Sequence, residues 1–569
     1  MKWNILNKLK IKNEKIKIDD EIVKLLLKNR GIVGKKKIDS FLSPPSPYNL
    51  KPIALGINTK QLAKALARID LAIKGGESIV VYGDYDVDGI CGTAILWETL
   101  RDLGAKVMPF IPQREKEGYG LSIEGIKTIL AQEKYGINKD NKRGLLITVD
   151  NGIVANKAVE FAYNQGLEVI IVDHHEKPEK LPKAHSIVTT NLLCAAGISY
   201  YLALKLTRLL TRTHDRGSHG AGSAWLELAA LATVADLVPL LGPNRSLVKH
   251  GFEVLNKTER PGLRALYNLA GIDKVGTYEI GYIIGPRINA SGRVENALTA
   301  LRLLCTRDLQ KAREYAQILD RTNRERQAMT EEMTLHAVGV QNQKSKIKNQ
   351  NERIIVIEHE SYHQGVIGLI AGKLVEKYYL PAIVISKGES LSKASARSIN
   401  GFNIIEAIRQ CNELLVDAGG HPMAAGFTLE TKLIAQVRER ISRIAQERIN
   451  DQMLERRLRV DCELDLGQIT HNIYNSISKL EPYGLGNPEP VFASTARVVT
   501  IRTVGQDGKH LKLTVSSGNK VIEAIGFGMG SLFSQIKLGD EISIAYSVYM
   551  DNFNSNEKLQ LKIKDIHHG

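Results

Sequence analysis

Tyr82-Gly-Asp84-Tyr-Asp86-Val-Asp88-Gly-Ile90 is the stretch on which the reading of this chain turns. An apolar, β-branched run at 79–82 leads into it, and a segment of helical period follows at 90–103. Three carboxylates this close together repel one another, and a bound cation relieves that repulsion. Asp and Gly also favour turns, so in isolation an exposed acidic turn explains the stretch equally well. Its surroundings decide.

Outward from this point strands and helices alternate: strands at 106–111, 145–149 and 169–172, helices at 122–132 and 156–165. The pattern predicts a parallel sheet covered by helices, with ligands at the carboxyl ends of its strands. Acids stand at those ends. The third strand closes in Thr148-Val-Asp150-Asn-Gly152 and the fourth in Val172-Asp173-His174-His175-Glu176. Parallel strands bring such ends to one edge, so Asp84, Asp86, Asp88, Asp150, Asp173, His174 and His175 are expected to share a site. Asp236 interrupts the apolar run Ala232-Thr-Val-Ala-Asp236-Leu-Val-Pro239, and a buried carboxylate needs a metal or a donor. Oxygen ligands mixed with imidazole, without thiolate, suit Mn2+ or Mg2+ better than structural zinc. Two such ions activate a water and offset the charge of an in-line phosphoryl displacement, so a metal-dependent phosphodiesterase is expected.

The 569 residues are enough for three or four domains, at about 150 residues each. Lys plus Arg number 77 against 62 Asp plus Glu, a net charge of +15, and the pI near 9.3 suits a polyanionic partner. The five cysteines are scattered without a CxxC pair, which argues against a disulfide framework or a thiolate zinc site. With no long apolar run and no leader-like start, a protein of the cytoplasm is expected, with no membrane contact.

Residues 223–335 read as mostly helical, and 309–336 as a long connecting helix. The polar tract 341–351 reads as an exposed loop. A second α/β unit follows, with strands at 353–358 and 382–386 around a helix at 368–378. Beyond 457 the pattern changes to strands at 496–504, 510–516, 520–526, 541–550 and 558–564, with a helix at 529–538. Five strands so arranged suit an OB-fold barrel, a common module for binding single strands.

Together these motifs resemble the DHH phosphoesterase family, named for the Asp173-His174-His175 triplet, and within it the RecJ single-strand-specific exonucleases. The resemblance covers roughly 50–500 in order, with the last barrel matching in pattern. It implies an N-terminal extension (1–50), a DHH catalytic domain (51–305), a connecting helix and loop (306–345), a DHH-associated substrate-binding domain (346–452) and an OB-fold nucleic-acid-binding domain (453–569). It implies Asp86, Asp88, Asp150, His174 and Asp236 as metal ligands, with Asp150 bridging two ions. His175 would lie beside the scissile phosphate, Asp84 would act as a ligand or its neighbour, and Asp173 would steady the others.

Further stretches look like the same family. Pro112-Gln-Arg114-Glu-Lys-Glu-Gly-Tyr119-Gly120 resembles its loop over the active site, and Gly285-Pro-Arg287-Ile-Asn289-Ala-Ser-Gly-Arg293 its link to the long helix. Ser395-Ala-Arg397 and Gly419-Gly-His421 resemble the segments of the DHH-associated domain that hold the substrate's terminal phosphate. Arg397 can fork two hydrogen bonds onto phosphate, and glycines let backbone amides approach an anion. The connection after Glu176 is shorter than the family usually carries.

The implied activity is 5′→3′ exonucleolytic hydrolysis of single-stranded DNA in repair and recombination. A helicase and a single-strand-binding protein are the expected partners of a monomer. Two other readings stay open: a phosphodiesterase for short oligoribonucleotides or cyclic dinucleotides, and a non-catalytic DNA-binding scaffold.

Overall fold

The computed structural model describes residues 1–7, 18–113, 116–118, 120–137, 144–210, 221–294, 296–347, 352–551 and 558–568. They divide into two units, a larger one from 3–292, 296–319 and 459–569 and a smaller one built mainly from 320–458.

In the larger unit five strands, β1 (Ser78–Tyr82), β2 (Lys106–Phe110), β3 (Gly144–Val149), β4 (Leu167–Asp173) and β5 (Ser186–Thr189), form a sheet in the order β2-β1-β3-β4-β5. Every pairing is parallel, as the strand-helix alternation predicts. Strand β5 escaped the sequence reading because four residues carry too little periodicity to register.

Helix α1 (Val87–Asp102) begins sooner than its apolar period suggests. The Asp86 side chain accepts the Gly89 amide at 3.0 Å and caps the helix, which places Asp88 in its first turn. Helix α2 (Ala195–Leu210) packs against α1 and follows directly on the segment after β5. Next come α3 (Ala221–Ala235), which ends just before Asp236, and α4 (Gly242–Leu255). These two helices pack closely at Gly251, where an added Cβ would collide with that of Ala230. A π-helical stretch, Glu279–Ile284, leads into α5 (Gly285–Val294).

Helix α6 (Leu309–Ile347) is 39 residues long and continues through most of the tract expected to be a loop. Residues 341–347 hold Gln, Lys and Ile and no Gly or Pro to stop the helix.

The smaller unit holds a mixed sheet: β6 (Ile355–His359), β7 (Ala382–Ser386), β8 (Leu391–Arg397), β9 (Asp417–His421) and β10 (Ala424–Glu430), in the order β9-β10-β8-β7-β6. Only β6 and β7 run parallel. Helix α7 (Ile367–Tyr378) connects these two.

Back in the larger unit, β11 (Phe492–Val504), β12 (His510–Ser517), β13 (Lys520–Gly526), β14 (Glu541–Asp551) and β15 (Lys558–His568) close a barrel, because β14 pairs with both β15 and β11. The helix expected at 529–538 is only a short turn, Gly530–Ser534. Gly530 lies so close to the Gly508 carbonyl that a side chain could not be placed there, and Gly528 has φ +71°. The N-terminal segment is part of this core: Ile22, Leu26, Leu27 and Phe41 pack with Leu511, Leu513 and Tyr546 of the barrel. Buried Arg30 lies 3.6 Å from buried Asp461, joining the two. Among the described residues no helix is long and apolar enough to cross a membrane, and all five cysteines are free thiols.

Replacing Gly251 with Val would force α3 from α4 at a cost of about 1–3 kcal/mol. The expected outcome is a melting temperature lower by several degrees, measured by thermal denaturation.

Candidate metal centre

The carboxyl edge of the parallel sheet gathers all eight residues singled out above. Asp84 follows β1, Asp150 follows β3, Asp173 ends β4, and His174 and His175 follow it. Asp86 and Asp88 enter from the start of α1, and Asp236 from the end of α3.

Backbone groups hold most of them in place. Both oxygens of Asp88 are taken by the first amides of α2, from Ala195 and Ala196, each at 2.7 Å. These are donors that a helix N-terminus leaves unpaired. The segment between Glu176 and Ala195 thus ends in the amides that fix Asp88. Asp150 sits at φ +64°, its amide bonded to the Val172 carbonyl at 2.9 Å. Asp and Asn tolerate this left-handed conformation better than most residues. Thr148 Oγ1 donates to the Asn151 carbonyl at 2.8 Å, and Asn151 Nδ2 donates to the Val149 carbonyl at 2.8 Å, which ties the turn. Gly152, at φ +107°, packs so closely on Thr148 that a Cβ would fall 2.7 Å from Oγ1.

Asn289 on α5 accepts the Val87 amide at 2.9 Å, and at Gly292 an added Cβ would fall 2.7 Å from the Tyr85 carbonyl. α5 therefore braces the acidic loop. Asn289 stood inside a quoted motif without a role; an Asn four residues before an Arg carries no sign that it caps a helix elsewhere in the chain.

His174 Nε2 lies 3.2 Å from Asp150 Oδ1, 3.6 Å from Asp236 Oδ2 and 3.7 Å from Asp88 Oδ2. Three overlapping sets of ligand atoms, each within 4.8 Å, can be drawn here: Asp84, Asp86 and Asp150; Asp88, His174 and Asp236; Asp150, His174 and His175. Asp150 and His174 each belong to two sets. Asp173 stands apart, accepting the Ile153 amide at 3.0 Å and His175 Nδ1 at 2.7 Å, so it orients His175.

The electrostatics are those of a crowded, buried acid cluster. Burial, then the neighbouring acids, pushes the Asp150 carboxyl well above its usual range. The same causes raise Asp236 to about 8, and burial raises Asp88. Burial lowers His174. The hydrogen bond to Asp173 raises His175 to about 9, although burial opposes it. Buried Asp150 Oδ1 and Asp236 Oδ2 accept no hydrogen bond among the described residues. Such oxygens are costly unless a cation meets them. The nearby thiols Cys91 and Cys194 are raised well above the ordinary thiol range by burial, so they stay protonated. The donor set is hard oxygen with imidazole, which fits Mn2+ or Mg2+.

Residues 78–233 match the DHH family N-terminal domain, 351–451 the DHHA1 domain and 460–565 the RecJ OB domain. The single-stranded-DNA-specific exonuclease RecJ of Bacillus subtilis is 34% identical, over 99% of this chain and 70% of that protein. The chain belongs to the RecJ family. The RecJ of Thermus thermophilus is 32% identical over 90% of this chain and 72% of its own length. The crystal structure of RecJ from Thermus thermophilus in complex with Mn2+ superposes with a TM-score of 0.81 at 27% identity, covering 100% of this chain and 80% of that one. Its complex with Mg2+ gives 0.75 at the same 27% identity, covering 100% and 78%.

The remaining RecJ-like motifs are distributed as follows. Arg114 and Tyr119 lie outside the described residues. Arg287, on α5, donates to the Ile283 carbonyl at 2.8 Å. In the smaller unit Arg397 donates to the Ala396 carbonyl at 2.8 Å and approaches Ser395 Oγ at 3.4 Å. Arg293 donates to the Gly365 carbonyl at 3.1 Å and is close enough to lower Arg397, after burial. Burial and then Arg293 also lower Arg326, whose buried Nε has no hydrogen-bond partner among the described residues. Neither Arg326 nor Arg397 forms an ion pair among the described residues. At Gly368 an added Cβ would fall 2.9 Å from Ser395 Oγ and 3.1 Å from Arg397 Nη2, so glycine there allows the close approach of α7 to these two side chains. His421 is in register with Ala424, itself in register with Arg397, and so lies two strands away at the same level. Arg326 was hidden in the charge of α6, where nothing in the sequence separates an inward Arg from a solvated one.

Asp150→Asn removes one charge from the buried cluster. Without metal the variant is expected to melt above the wild type. Saturating Mn2+ should raise the wild type, by about 2.7 kcal/mol at a hundredfold excess over Kd, and leave the variant nearly unmoved; calorimetric scans with and without EDTA read both.

Proposed function

We propose that this chain is a metal-dependent exonuclease that hydrolyses phosphodiester bonds of single-stranded DNA from the 5′ end, in DNA repair and recombination. The observation that carries the reading is the convergence of eight acids and imidazoles on one sheet edge with buried carboxylate oxygens left unbonded. Asp86, Asp88, Asp150, His174 and Asp236 would hold divalent cations, Mn2+ or Mg2+, with Asp84 beside them. Bound there, such cations lower the pKa of a water and offset charge developing on the phosphoryl oxygens.

The chain's own side chains do the rest. Asp173 fixes the His175 ring through Nδ1, which leaves Nε2 to donate to a phosphate oxygen. The hydrogen bond to Asp173 favours the protonated form of His175. Asp88, held by two amides, cannot swing away from the cluster.

In the smaller unit Arg293 lies close enough to Arg326 and Arg397 to lower both, after burial, and the latter two form no ion pair among the described residues, the inverse of the metal centre. With Ser395 these cations bind the strand's terminal phosphate, where a guanidinium makes paired hydrogen bonds. His421, Arg287, Arg114 and Tyr119 serve the same strand. The barrel supports a longer substrate than a dinucleotide. The protein works in the cytoplasm as a monomer, supplied by a helicase and a single-strand-binding protein.

An end-labelled single strand incubated with each divalent metal in turn tests the proposal. Mononucleotide release from the 5′ end with Mn2+ or Mg2+ is expected, and an intact strand would sink it. Asp150→Ala should abolish release while circular dichroism stays unchanged. Arg326→Gln should weaken the preference for a 5′-phosphate over a 5′-hydroxyl by about tenfold, the equivalent of about 1.4 kcal/mol from a charged hydrogen bond.

A further inference from the structure

Tyr278 and Tyr282 stack on each other on the outside of the larger unit, their ring centroids 5.0 Å apart and their planes 27° from parallel. They are 59% and 71% exposed, while Ile280, Ile284 and Ile288 on the same stretch are completely buried. A two-faced helix normally places charged or small polar residues outward, and here it offers two aromatic rings instead. Gly281 stands between them, and a Cβ added there would meet nothing within 4 Å, so the space beside the rings is open. The backbone is π-helical over Glu279–Ile284, a rare geometry frequent at functional sites.

The pair is tied to the metal centre by a short chain of contacts. Gly285, three residues on, would place a Cβ 3.7 Å from that of Ala235, the neighbour of Asp236. The same segment continues to Arg287, whose guanidinium folds back on the Ile283 carbonyl, and to Asn289, which bonds the amide of Val87. Leu237, on the far side of Asp236, is 70% exposed at φ +58°. The segment that carries the rings and Arg287 thus packs beside the end of the helix that leads into Asp236, next to exposed Leu237.

We infer that Tyr278 and Tyr282 form a stacking platform for a base of the single-stranded substrate, with Arg287 beside it for the backbone. The inference rests on the single-strand reading above and deepens it. Every base has a π-face, so a platform of this kind holds a strand without regard to sequence. The two rings are positioning residues and take no part in the hydrolysis.

Fluorescence anisotropy of a labelled, 5′-phosphorylated single strand, recorded in EDTA, measures binding without turnover. Y278A/Y282A is expected to weaken binding by about tenfold, the loss of one stacked base. Y278F/Y282F should bind as the wild type does, since stacking uses the ring and not the hydroxyl. A single abasic nucleotide moved along the strand should weaken wild-type binding at one register and cost Y278A/Y282A nothing more there. Equal affinity of the wild type and Y278A/Y282A, with the same abasic profile, overturns the inference; a patch for a protein partner would give that result. Should Y278A/Y282A fail to fold, Tyr282→Ser and the wild-type abasic profile decide, and a flat profile overturns it. Because the assay needs no cleavage, a protein that binds with the expected profile yet degrades nothing refutes the exonuclease reading and leaves the platform standing.

Discussion

Mutual repulsion among buried carboxylates is the constraint around which this fold is organised. Asp84, Asp88, Asp150 and Asp173 are all nearly inaccessible at one end of the parallel sheet, with Asp86 and Asp236 beside them. Left to themselves such groups would separate or take up protons. The protein prevents separation by anchoring them to the backbone: Asp88 by the amides of α2, Asp86 by its cap on α1, Asp173 by the Ile153 amide and the His175 ring. The elements around the sheet edge aim these carboxylates and stop them from moving.

The smaller unit answers the same constraint with the opposite charge. Arg293 lies close enough to Arg326 and Arg397 to depress both, and those two have no acid partner among the described residues. Arg326 and Arg397, half-buried without an ion pair among the described residues, carry the same kind of electrostatic cost as the crowded carboxylates, and an anion would offset it.

Much of this was legible in the sequence because strand ends leave a local signature. An apolar run closed by an acid, repeated at Asp84, Asp150 and Asp173, places those side chains on one edge once the sheet is known to be parallel. What escaped was whatever depends on contacts between distant segments. Asn289 caps a helix two hundred positions upstream, Ala195 and Ala196 offer only their amides, and Arg326 is one charge among many on a long helix. Backbone donors in particular have no residue type to betray them. The helix expected at 529–538 failed for the converse reason: helical spacing was present, but Gly528 and the close approach of Gly530 to Gly508 stop the chain from continuing.

Asp150 shows most directly that function outranks stability here. Its φ of +64° lies where a non-glycine residue costs about 1–2 kcal/mol, and its carboxylate is both buried and short of a donor. Glycine would relieve the backbone, and asparagine would suit the conformation while removing the charge. Neither is present, although Gly152 two residues on shows that the turn readily accommodates glycine at a positive φ. Thr148 and Asn151 tie the turn shut, so the strain cannot escape by local rearrangement. A buried carboxylate oxygen without a donor, on a residue held at a strained φ, costs free energy in the protein alone. What Asp150 contributes is a carboxylate that belongs to two of the sets of ligand atoms at the acid cluster, where a divalent cation would offset its cost.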